Sequence, residues 1–67
     1  MSAADEVYQE KHTAVRHLIA NMVLSVEAHR LKQQADPNDW GYVGDLAHVE
    51  ERLKEVVGFL RPVEEAA

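Results

Sequence analysis

The sequence predicts an all-α protein: a two-helix antiparallel hairpin that assembles as a homodimeric four-helix bundle. Three observations carry that expectation. Residues 3–35 contain no glycine and no proline. A hard break, Ala35-Asp36-Pro37-Asn38-Asp39-Trp40-Gly41, follows them. Beyond it a second stretch places apolar residues at spacings of three and four up to Leu60.

The first helix is expected over about 3–35. Ser2 with Asp5 three residues later resembles a capping box, with Asp in place of Glu or Gln. Asp5 and Glu6 suit the positive end of the helix dipole. At about 1.5 Å per residue the helix would run near 50 Å. A helix that long invites a kink near Asn21 or fraying before Val7.

A turn is expected over 36–41 and the second helix over about 42–61. Proline biases the residue before it out of the helical region. Asp36 then reads as the N-cap of the second helix with Pro37 at its first position, and Asn38 or Asp39 as competing caps. Gly41 and Gly44 weaken the opening turns. Pro62 stops the helix, and residues 62–67 are expected to fray.

The helix faces point outside the chain. Tyr42, Leu46, Val49, Leu53, Val56, Val57 and Leu60 form one stripe on the second helix. On the first helix Tyr8, Val15, Leu18, Ile19, Met22 and Val26 form a matching stripe. A further stripe, Ala20, Leu24, Ala28, Leu31 and Ala35, lies almost opposite. A helix with one neighbour needs one apolar face. Two opposed faces imply two neighbours, so Leu24, Ala28 and Leu31 are expected to meet a second copy or another protein. Trp40 and Phe59 join them as candidate interface residues. The strip Trp40-Gly44-Ala47-Glu51-Lys54-Gly58 has small side chains, which would permit close approach of a helix.

Size supports an assembly. A chain of 67 residues makes one domain, and a core below ~70–80 residues rarely supplies more than ~3–5 kcal/mol. Cysteine is absent, so disulfides cannot reinforce it. A homodimer or larger oligomer is the expected remedy. The longest apolar run, Leu18 to Val26, is interrupted by Asn21 and Ser25 and falls short of the ~20 residues that span a bilayer. No membrane partner and no secretory signal are expected, and a cytoplasmic location follows by default.

Chemistry is sparse. Of the four histidines, His48 forms an i, i+3 pair with Glu51 but faces away from the apolar stripe. No two histidines stand at the i, i+4 spacing of a zinc helix. A metal-binding bundle is therefore a minor alternative, and no metal or other cofactor is expected. Ser25 and His29 stand at i, i+4, yet no acid is placed to orient that histidine. No phosphate loop surrounds Gly41 and Gly44. No enzymatic activity is expected.

Charge leaves one other alternative. The net charge is -5, which disfavours nucleic acid in general. The first helix nonetheless carries Lys11, Arg16, Arg30 and Lys32, while residues 36–60 hold six acids against Arg52 and Lys54. With its short chain, two helices and tight acidic turn, the protein is similar in architecture to the plasmid RNA-binding helical-hairpin dimers of the Rop type. That resemblance carries over no residue. It implies an RNA- or DNA-binding regulator that would use the four cations of the first helix. Conversely, Asp39, Asp45, Glu50, Glu51 and Glu55 could face a basic surface on a larger protein, as in a small acidic adaptor or inhibitor.

Overall fold

The computed structural model describes residues 2–61. Among them the chain is all-helical, with two helices and no strand. It divides into two compact units, one ending at Ala35 and the other beginning at Asp36. The tail expected to fray, 62–67, lies outside the described residues.

The first unit is a single helix, α1, spanning Ala3–Ala35 without interruption at Asn21. Ser2 caps it: the Asp5 backbone N–H donates to Ser2 Oγ at 3.1 Å. The Glu6 N–H donates to the Ser2 carbonyl at 3.2 Å. Asp5 and Glu6 occupy the first turn and Lys32 the last, as the helix dipole favours. In the N-terminal half the rings of Tyr8 and His12 lie with centroids 5.8 Å apart.

The second unit opens with a turn in which the Asp39 N–H donates to the Asp36 carbonyl at 3.2 Å. Asp at the first position and Pro at the second are favoured in such turns. Asp36 is therefore a turn residue, and the expectation that it caps the second helix is corrected. Asp39 is the N-cap, with φ -84° and ψ 109°, and its Oδ1 accepts from Gly41 N at 2.8 Å. Helix α2 accordingly spans Trp40–Leu60. It begins two residues before the glycines suggested, because the cap offsets their low propensity. Gly41 has a specific place here: a Cβ on it would approach Asp39 Oδ1 to 3.0 Å. At the other end the Arg61 N–H donates to the Val57 carbonyl at 2.9 Å.

The cap supplies a test. Asp39→Ala is expected to cost about 1 kcal/mol of helix stability, and Asp39→Asn much less, because an asparagine oxygen can accept the same bond. Urea unfolding followed by circular dichroism separates the two. Equal losses for both would remove Asp39 as the cap.

No described residue of either helix is buried. Only Met22, His29, Gln33, Tyr42 and Val49 are half-buried. Val26 and Leu53 follow, each 37% exposed. Most helix stability in proteins comes from packing an apolar face.

Candidate functional site

The candidate site is a set of helix surfaces. On α1, Leu24 and Leu31 are 69% and 68% exposed, and Ala28 is exposed between them. Spacings of four and three place the three on one face of a continuous helix. Trp40 and Phe59 are the most exposed large apolar residues of α2, at 80% and 82%. They are not brought together. Nineteen positions separate them, roughly 28 Å along the axis, and they point in different directions around it.

Nothing packs against the two glycines in the small-residue strip of α2. A Cβ on Gly44 or on Gly58 would find no atom within 4 Å. Their low propensity is thus not offset by a close contact among the described residues.

The acidic face of α2 is partly neutralised locally. Arg52 donates to both carboxylate oxygens of Glu55, at 3.0 and 3.1 Å. Lys54 Nζ lies 3.7 Å from Glu51 and 3.9 Å from Glu50. These pairs are exposed, so each contributes only tenths of a kcal/mol, on the order of 0.3–0.5. Asp39 is engaged in capping. The face that a basic partner would read is therefore weaker than the count of acids implies.

The α1 cations do not form one stripe either. Arg16 and Arg30 lie 14 positions apart, about 21 Å along the axis. Lys11 and Lys32 lie still farther apart, on the other side of the apolar row. Among the described residues no three His, Asp or Glu side chains are placed to hold a metal ion. The shallow depression lined by Gln9, Glu10, Thr13, Ala14 and His17 is a surface feature of α1 alone. No helix of the described residues is long and apolar enough to cross a membrane.

The structure singles out a pattern that the stripes concealed. All five half-buried residues stand on rows that alternate steps of four and three. The α1 row runs Tyr8, His12, Val15, Ile19, Met22, Val26, His29, Gln33. The α2 row runs Tyr42, Leu46, Val49, Leu53, Val56, Leu60. A repeat of about 3.5 residues is the period of helices that pack side by side in coiled coils and bundles. The polar His12, His29 and Gln33 hid it on α1. The signal available in the sequence was the position of the cations: Lys11, Arg16, Arg30 and Lys32 each sit immediately beside that row.

Comparison of the chain with protein-family models, with curated proteins and with solved structures finds no match.

Proposed function

We propose that this chain is a small, non-enzymatic protein-interaction module that works as a self-associating helical hairpin. One observation supports the reading above others. Two helices together rich in apolar residues leave no described residue buried and only five half-buried. Folding must offset a large loss of conformational entropy by apolar burial. A second copy is the simplest source of the missing cover.

In this reading the rows through Met22 and Val49 form the shared core of a dimer. The opposite stripe of α1, Leu24, Ala28 and Leu31, remains outward, with Trp40 and Phe59 as further exposed anchors. It is proposed as the second contact, where copies join into a larger oligomer. An adaptor or inhibitor of another protein would use the same surface.

Sedimentation equilibrium at micromolar concentration tests the proposal. The expected mass is twice 7.6 kDa, rising further at high concentration. A folded monomer would end the reading. The variant Leu24→Glu/Leu31→Glu is expected to keep its helix content and the dimer while losing the rise. A wild-type mass that stops at the dimer even at about 1 mM protein, where a millimolar affinity would show, would leave these leucines as surface residues.

The nucleic-acid alternative predicts retention on heparin and a steep salt dependence for an RNA complex. The separation of the four cations along α1 supports the interaction reading over it.

A further inference from the structure

We infer that a second copy of this chain docks along the α1 row with its own α1 running antiparallel, in the one register that sets Ile19 against Met22 of the second copy. This rests on the self-association proposed above and names the surface and the alignment by which two copies recognise each other.

The row reads nearly the same in both directions. From its N-terminal end it runs Tyr8, His12, Val15, Ile19, and from its C-terminal end Gln33, His29, Val26, Met22. Apolar residues hold the middle, a histidine follows on each side, and a side chain with a polar tip closes each end. A two-fold contact is self-complementary: if one residue meets another, the second meets the first. Turned end for end, this row supplies such a match by itself. Ile19 meets Met22 of the second copy, Val15 meets Val26, His12 meets His29 and Tyr8 meets Gln33. All these pairs are centred on the same point, the bond between Ala20 and Asn21, so one placement of the helix makes every layer at once.

Neighbouring registers do not keep the match. A slide of one heptad sets His12 against Met22 and Tyr8 against Val26. The opposite slide sets Ile19 against His29 and Val15 against Gln33. Polar groups set against apolar ones lose water without gaining a partner, and polar residues at such positions fix register in paired helices. The middle of the row has surface left to cover: Val15 and Ile19 are each 51% exposed.

A parallel pair would also set each row residue against its like, so charge decides the direction. Arg16 and Glu27 are eleven positions apart, close to three full turns, and share one side of α1. Antiparallel docking in the stated register brings Arg16 within about 3 Å, along the axis, of the level of Glu27 of the second copy, and symmetry makes the pair twice. Lys11 and Lys32 come level on the other flank, where their long stems can turn outward into water. A parallel pair keeps a like-charge contact, Lys11 beside Arg16, with no carboxylate to answer it. It also lays the acids of the first turn beside each other and points both helix dipoles the same way.

The chain has no cysteine, so introduced thiols report the contact without background. Full-length chains carrying Val15→Cys or Val26→Cys, one of them isotopically labelled, are oxidised alone and as an equimolar mixture, and disulfide dimers are identified by mass. In the stated register the two sites meet, whereas like sites lie about 16 Å apart along the axis, beyond the ~7 Å that a disulfide bridges. The mixture is expected to form a disulfide dimer of one chain of each kind at least about tenfold faster than either chain alone. Self-cross-linking of either chain as fast as the mixed reaction overturns the inference. A wild type that is monomeric in sedimentation overturns the underlying self-association instead. If the valine variants do not fold, Leu18→Cys and Ser25→Cys, on one flank of the row and within about 3 Å of one level in this register, are mixed and read in the same way and decide the matter.

Discussion

Replacing Leu46 and Leu53 together by glutamate is expected to abolish both the helix content and the assembly. The two residues stand on either side of the half-buried Val49 on the α2 row and are 43% and 37% exposed even in a single chain. In the proposed dimer both enter the core. Full burial of a leucine contributes about 1.5–3 kcal/mol, and a carboxylate in its place must also be desolvated or protonated. The double variant therefore loses more than the ~3–5 kcal/mol that a core of this size supplies. Circular dichroism and sedimentation of the same samples read both losses. Ala47→Glu, on the opposite side of α2, is the control and should leave both nearly unchanged. A double variant that stays helical and dimeric would remove the α2 row as the core.

The second large effect is a thermal midpoint that climbs with protein concentration. A chain that folds only with its partner is stabilised by mass action. Each tenfold increase in concentration adds about 1.4 kcal/mol to the folded dimer. Twice 67 residues, at about 2.1 cal/mol/K of unfolding entropy per residue, give roughly 0.28 kcal/mol/K. The midpoint should rise by about 5 °C per tenfold concentration. A midpoint independent of concentration over about two decades of protein concentration would mean that the monomer folds alone. Leu46→Glu/Leu53→Glu probes which face is covered, and the concentration series probes whether a second chain covers it.

Much of the local structure is legible in the residues. The absence of Gly and Pro over 3–35 is enough for one long helix, because each residue there can hold helical backbone without special cost. Ser2 before Asp5 marks where that helix starts, and the bond from Asp5 N to Ser2 Oγ is the physical form of the mark. Pro37 announces the break. Its exact geometry is less legible, since Asp36, Asn38 and Asp39 can all cap a helix. The bond from Asp39 N to the Asp36 carbonyl uses the first Asp in the turn and leaves Asp39 to cap α2. Competition among three good caps is settled by backbone geometry, which composition does not encode.

The proposed interaction surface is legible only in part. Leu24, Ala28 and Leu31 stand out because spacing alone places them on one side of α1. The other row was blurred by His12, His29 and Gln33, which interrupt its apolar character. Partial shielding of His29 and Gln33 in the folded chain reveals that they belong to it. With that row in place the four cations of α1 stop looking scattered, because each stands beside it.

The sequence by itself thus determined the two helices, the break between them and the exposed apolar side of α1. These depend on local backbone preferences and on helical periodicity, which act within a few residues. The three-dimensional structure decided that Asp39 is the cap, that α2 starts at Trp40, and which residues of each helix are half-buried. It also decided that no described residue is buried. The cap and the helix start follow from bonds within three residues that choose among near-equal candidates, and exposure follows from the atoms around each side chain, neither of which a residue pattern ranks.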